Sequence, residues 1–255
     1  MRFNRLFFIL ISLFFLAASC RKEEKGTIEI AFTHTVVGAP VQLNQLIYTN
    51  TAGNHYQINE VKYFISNIIL IDTEGKPTVV TQDDGIHYVD LSSEKTLRWQ
   101  IEEVPPKNYT AISFVFGLDE KDNQSNRFVN PPECNFSWSE HLGGGYHYMQ
   151  INGKFLNKDD NLQNMNIHTG IGQLYNENNK ITAFVHNYFT VTLPVLFSVT
   201  ENNTTPLTIN MEIQRWFDTP NLYNFDDFGE GIMQNQHAQK LLKENGGNVF
   251  DVQCQ

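Results

Sequence analysis

The sequence predicts an all-β protein: an antiparallel β-sandwich of the immunoglobulin or jelly-roll sort, with one short helix near its C-terminal end. Three observations predict it. Apolar and polar residues alternate over short runs, the period of a strand with one buried face. Clusters of Gly, Pro, Asn and Asp separate about nine or ten such runs at short spacing. No strand–helix–strand rhythm occurs, which favours a sandwich over a parallel α/β sheet. Residue usage agrees: 19 Phe and 10 Tyr, with only 18% of the chain charged, suit pleated, half-buried surfaces.

Taken in order, the first run starts at Thr27 and places Ile28, Ile30, Phe32 and His34 on one face. His34 is therefore in phase with core residues. A strand from Leu43 to Tyr48 follows. Tyr56 to Ile71 is the strongest β segment, and Ser66-Asn67 inside it predicts a bend or bulge. Asp72 to Pro77 is a turn. Val79-Val80 and Ile86 to Leu91 continue the sheet, with His87 read as structural. Ala111 to Gly117 is a strand, and Asp119 to Asn130 is a polar loop whose carboxylate spacing fits no EF-hand. Gly145 to Phe155 and Leu162 to His168 are strands. Ile181 to Leu193 is apolar on both faces, which predicts a long central strand. Leu207 to Phe217 alternates again. Met233, His237 and Leu241 then stand four apart, an amphipathic helix closed by Asn245-Gly246-Gly247 with His237 toward the core.

The N-terminus reads as an address. Arg2 and Arg5 precede an apolar run, Leu6 to Ala18, that is short for a bilayer span. It ends in Leu16-Ala17-Ala18-Ser19-Cys20, which resembles the lipobox of bacterial lipoproteins. Residues 1–19 are thus expected to be a lipoprotein signal peptide, and residues 20–26 a lipidated Cys20 with its tether. Residues 27–255 form the folded domain. More than one acyl chain makes such an anchor stable. Arg21-Lys22-Glu23-Glu24-Lys25 resembles the tags that send some lipoproteins to the cell surface. The expected location is the outer membrane, on its periplasmic or cell-surface face.

Charge excludes one class of partner. Of 18 basic residues, Arg2 and Arg5 leave with the signal, and 28 acidic residues remain. That balance argues against nucleic acid, which needs a basic face. With Cys20 lipidated, Cys134 and Cys254 are left. An oxidising envelope allows them to pair, and a bridge would pin the C-terminus beside the loop leading to Trp138.

The functional signal concentrates between Asn135 and Gly172. NFSWSEHLGGGYHYMQINGKF and NIHTGIG hold Trp138, His141, His147 and His168. Histidine is the commonest metal ligand near neutral pH, and imidazole donors without thiolates suit copper(II) or zinc. No Gly-x-Ser-x-Gly, His-Glu-x-x-His, Walker or Cys-x-x-Cys signature is present, so a binding protein is expected rather than an enzyme. The alternative is a non-enzymatic surface module for a glycan, peptide or protein, using Tyr146, Tyr148, Trp99 and Trp216 as an exposed aromatic platform.

Several stretches, in order, resemble the MbnP-like family of bacterial envelope proteins, many of whose Bacteroidetes members are lipoproteins. They are YFISNIIL (Tyr63 to Leu70), YTAISFVFGLD (Tyr109 to Asp119), the block from Trp138 through GGYHYMQINGKF, IHTG (Ile167 to Gly170) and the late helix from Gln234 to Phe250. The resemblance implies a copper-binding β-sandwich. It implies copper held by histidines beside a tryptophan oxidised to kynurenine, here Trp138, and a di-haem peroxidase-like partner. His168 matches the His-x-Gly motif, His34 lies in the first-strand motif and His237 in the terminal helix. His141 and His147 are candidates from the local cluster alone. The chain departs from the family pattern at Phe136-Ser137-Trp138-Ser139-Glu140, where Met-x-Trp-x-Trp is usual, and in its Gly143-Gly144-Gly145 run.

Overall fold

A computed structural model describes residues 24–254. The expected signal peptide and Cys20 lie outside the described residues. The first half of the chain forms β1 (Gly26–Val36), β2 (Ala39–Pro40), β3 (Tyr48–Thr49), β4 (His55–Asp72), β5 (Pro77–Val79), β6 (His87–Asp90), β7 (Arg98–Val104) and β8 (Asn108–Phe116). The second half forms β9 (Met149–Leu156), β10 (Leu162–Thr169), β11 (Ile171–Tyr175), β12 (Ile181–His186), β13 (Phe189–Ser198), β14 (Thr204–Glu212), α1 (Gln236–Asn245) and β15 (Phe250–Cys254). Among the described residues no helix is long and apolar enough to cross a membrane.

The strands make two open sheets and a separate hairpin. The smaller sheet runs β15-β14-β1, with β2 and β7 both on β1; the larger is built around β4, which pairs with β9, β8, β3, β5 and β6, with β10 outside β9 and β13 outside β8. Pairing is antiparallel except between β1 and β14, where Thr27 faces Thr204 and Thr35 faces Glu212 in parallel. Parallel neighbours need a long crossover. Here most of the domain is that crossover. The alternation in β1 does what its sequence demands: Ile28, Ile30 and Phe32 are buried between the sheets with Ile58, Val61 and Tyr63 of β4.

The bulge expected at Ser66-Asn67 is present. Asn67 has φ 52°, and the β4–β8 register shifts between Ser66 and Ile69. β9 takes the N-terminal half of β4 and β8 the C-terminal half. They meet at Phe64, whose N–H donates to the Tyr148 carbonyl and whose own carbonyl accepts from Gly117 N–H. Both groups of one strand residue point to one edge, so β8 and β9 share that edge. The connection between them, residues 117–148, leaves the sheet there and folds over its outer face.

Several boundaries differ from expectation. The predicted central strand, Ile181 to Leu193, is two edge elements. β12 pairs with β11, and β13 hangs on the rim of the large sheet beside β8. Pro194 inside β13 suits an edge, where a missing N–H costs no ladder bond. The strand expected from Gly145 begins only at Met149, and the run to Phe217 stops at Glu212, where residues Ile213–Phe217 tighten into a 3-10 turn. Leu43 to Ile47 lies outside any strand. In α1 the buried face is Ala238, Gln239, Leu242 and Asn245, so the stripe is rotated by one residue and His237 points to solvent. The Asn235 side chain caps this helix, accepting from Ala238 N–H at 3.0 Å.

Candidate metal centre

The connection from Gly117 to Tyr148 builds the site. It packs a second small core, including Phe136, Trp138, Leu142 and Tyr146, against Phe64 and Tyr88 on the outer face of the large sheet. Ser137 to Trp138 runs antiparallel to Gly145 to His147: Trp138 N–H donates to Gly145 O at 2.8 Å, and His147 N–H to Phe136 O at 2.9 Å. The glycine run makes this return possible. Gly143, Gly144 and Gly145 have φ of 119°, 68° and 78°, and a Cβ on Gly145 would stand 2.3 Å from Asn123 Oδ1. In its place Asn123 Oδ1 accepts from Tyr146 N–H and Ser125 Oγ from Gly145 N–H, each at 2.8 Å.

This return sets His147 against Trp138, with ring centroids 4.7 Å apart and planes at 78°. The other side of the site comes from β10. Met165, Ile167 and Thr169 turn inward, so His168 projects from the outer face, by the strand period. Its ring centroid lies 5.1 Å from that of His147, at 80°. Trp138 is 2% exposed and its Nε1–H donates to Leu142 O at 3.3 Å. The backbone carries one further constraint. Gly170 N–H donates to Gln239 Oε1 at 3.0 Å, and Asn187 Nδ2 donates to Gly170 O and to Gln239 Oε1. A fully buried amide on α1 thus holds the strand end beside His168.

Burial sets the protonation of both imidazoles. It lowers His147 to about 4, and it lowers His168 to about 3 with the neighbouring His147 as a second cause. Both are neutral at pH 7, the form that donates an electron pair to a metal. His147 Nδ1 stands 3.1 Å from the Phe136 carbonyl, which only accepts, so that nitrogen carries the hydrogen. Its Nε2 is buried with no hydrogen-bond partner among the described residues. Among the described residues, no group of three or more His, Cys, Asp or Glu is placed to hold a metal ion. The centre is two imidazoles and an indole.

The other candidates lie apart. His34 is in phase with Phe32 as expected, but it faces the inner core and meets Tyr63 Oη at 3.2 Å. Tyr63 pairs with Met149, which pairs with Thr169, all on the inner face. His34 and His168 are therefore separated by the large sheet itself. His237 is exposed near Phe228, and the expectation that it faces the core is corrected by the rotated helix stripe. His141 is exposed, with Nδ1 at 2.9 Å from Ser139 Oγ. No disulfide joins Cys134 and Cys254: the first sits in the turn over the large sheet, the second opposite Leu207 in the smaller one. The aromatic platform is absent too, since Tyr146, Tyr148, Trp99 and Trp216 are all buried. Sequence reading missed Asn152, whose Oδ1 lies 2.7 Å from His168 Nε2. Its only sequence signal is its outward phase in Met149 to Phe155.

Fold and site together define a two-sheet β-sandwich with a histidine–tryptophan centre on the outer face of one sheet. The chain belongs to the MbnP family, whose sequence model matches residues 25–234. The solved structure of MbnP from Methylosinus trichosporium is similar, with a TM-score of 0.55 at 14% identity over 91% of this chain and 99% of that one. At that identity the likeness is one of fold. No curated protein sequence matches the chain. Family membership points to a copper-related function.

Proposed function

We propose that this protein is a copper-binding protein of the cell envelope, with His147 and His168 as the ligating residues beside Trp138, acting in copper acquisition or handling. One observation carries the reading. A buried imidazole nitrogen, His147 Nε2, has no hydrogen-bond partner among the described residues, and it belongs to a ring packed against a second neutral imidazole. An unpartnered buried polar atom costs about 1–3 kcal/mol, and a metal ion would repay that. Neutral nitrogen donors suit copper within the divalent series. The ion would supply Lewis acidity and an accessible one-electron couple; the protein supplies position, neutrality and exclusion of water.

Anchorage by a lipid on Cys20 is supported by the residues before it, and an envelope location follows from that. Trp138 stands edge-on to His147; the family resemblance supports its oxidation to kynurenine, a ring opening that would need an external oxidant of the peroxide class and would release the indole C2 as a one-carbon fragment. A di-haem peroxidase-like partner is supported by the family resemblance. The reading is of a binding protein and not an enzyme.

The test is titration of the secreted form, starting after Cys20, with copper(I) and copper(II). Sub-micromolar binding that His147→Ala and His168→Ala both remove is expected. Affinity no tighter than micromolar for either ion would sink the reading. Mass spectrometry of the Trp138 peptide from copper-grown cells reads the indole separately.

A further inference from the structure

We propose that Asn152, itself fixed by Glu60, sets the tautomer of His168, holding the ring hydrogen on Nε2 and leaving the Nδ1 electron pair for the metal ion. The inference rests on the copper reading for the ion, but not for the tautomer.

Both ends of the Asn152 amide are engaged. Asn152 Nδ2 donates to Glu60 Oε2 at 2.7 Å. A carboxylate only accepts, so the amide cannot turn over without setting its oxygen against another oxygen. That fixes Oδ1 as the end facing His168, 2.7 Å from Nε2. A carbonyl oxygen also only accepts, so Nε2 must be the protonated nitrogen. A neutral imidazole carries one N–H, so the lone pair is on Nδ1.

The register builds this chain of contacts. Asn152 of β9 lies directly opposite Glu60 of β4, and His168 of β10 lies opposite Gln150, one diagonal step away. All three side chains share the outer face of the large sheet. Glu60 is in turn held by an ion pair with Lys62, whose Nζ also lies 3.8 Å from Asp90 Oδ2. The chain from Lys62 to His168 alternates donor and acceptor without a mismatch. His147 is fixed differently, by the backbone carbonyl of Phe136, and its hydrogen sits on the other ring nitrogen. Substituting Asn152 therefore reaches one imidazole of the pair and leaves the other as a control. Partners that orient a ligating histidine commonly account for 10–100-fold in metal affinity, as an order of magnitude.

The experiment reads both rings by nitrogen-15 NMR of the metal-free protein at neutral pH. In the wild type, His168 is expected as the Nε2–H tautomer and His147 as Nδ1–H. Asn152→Leu should release His168 and leave His147 unchanged. Glu60→Ala should let the amide turn and give His168 a mixture of tautomers. Adding Asn152→Asp to Glu60→Ala restores an acceptor that cannot turn into a donor, and the Nε2–H form should return. Copper affinity should fall about 10–100-fold in Asn152→Leu and Glu60→Ala and recover in the double variant. If Asn152→Leu fails to fold, Asn152→Ala adds no bulk and reads the same tautomer. An Nδ1–H His168 in the wild type, or a tautomer indifferent to Asn152, overturns the proposal. A wild type that binds no copper but whose His168 follows Asn152 overturns the copper reading and upholds the positioning.

Discussion

Gly170 lies against the indole of Trp138: a Cβ on Gly170 would stand 2.8 Å from Cε3 and 2.9 Å from Cδ2 of that ring. The contact explains why the His-x-Gly stretch ends in glycine at this position. It is a requirement for space beneath the indole. Gly170→Ala should push the indole away from His147. The expected cost is about 1–3 kcal/mol of stability, as for overpacking in other cores. Urea unfolding measures the loss, and the near-ultraviolet dichroism of Trp138 should change with it. Wild-type stability in this variant would show that the loop yields freely.

The buried amide of Gln239 holds the other side of Gly170. Gln239→Leu keeps the volume but strands Gly170 N–H and removes an acceptor from Asn187. An unsatisfied buried donor costs about 1–3 kcal/mol. Gln239 also donates to the Met233 carbonyl at 3.0 Å, so exchange of the amides in α1 should speed up as well. Hydrogen exchange unchanged in both α1 and Gly170 would refute the link.

Copper binding should separate the histidines by position. His147→Ala and His168→Ala are expected to weaken binding by more than about 100-fold, beyond the effect of losing an orienting partner. His141→Ala and His237→Ala, both at exposed residues, should leave it within a factor of about 3, since neither touches the centre. Calorimetric titration of the four variants decides it. A large loss in His237→Ala would relocate the site to α1.

Acid should weaken the metal-free protein early. Burial holds His34 and His147 at about 4 and His168 at about 3, against 6.5 in an unfolded chain. As pH falls below 6.5, the unfolded chain takes up protons that the folded one refuses. Stability is thus complete above about pH 6.5 and is lost on the way down, toward about pH 4 for His34 and His147 and about pH 3 for His168. Each histidine contributes up to about 1.4 kcal/mol per pH unit in that window. Urea unfolding at about pH 7.5 and about pH 5 tests this, and equal stabilities would contradict the burial of these rings.

The thiols offer an independent check on topology. With no bridge between Cys134 and Cys254, unreduced protein starting after Cys20 should yield no disulfide-linked peptide pair that joins the two. Cys134→Ser should leave the unfolding free energy within about 0.5 kcal/mol of wild type, as for surface changes away from packed features. A single band shift on reduction would reveal a bridge instead.

Much of the sandwich was legible in the residues. Ile28, Ile30 and Phe32 declare a half-buried strand by their period, and Ser66-Asn67 declares the break in the longest strand. Trp138 and His168 stand out by residue type. The errors have physical causes. Ile181 to Leu193 looked central because apolar content does not reveal which residues find neighbours; Phe184 within it remains exposed. His237 looked buried because Met233 and Leu241 share its spacing, yet Ala238 and Leu242 make an equally regular stripe one residue on. Cys134 and Cys254 looked pairable because a chain shows nothing of which sheet each end joins.

By itself, the sequence determined the all-β architecture, the family and the stretch that holds Trp138, His147 and His168. These are matters of period, composition and local motif, which act over a few residues at a time. Only the tertiary structure decided which histidines meet. His34 and His168 both sit in strands and both read as candidates, but side chains alternate across a sheet, and register placed one inside the sandwich and the other outside. The same register brought Glu60 and Asn152 to His168 from two other strands, a conjunction that no local pattern encodes.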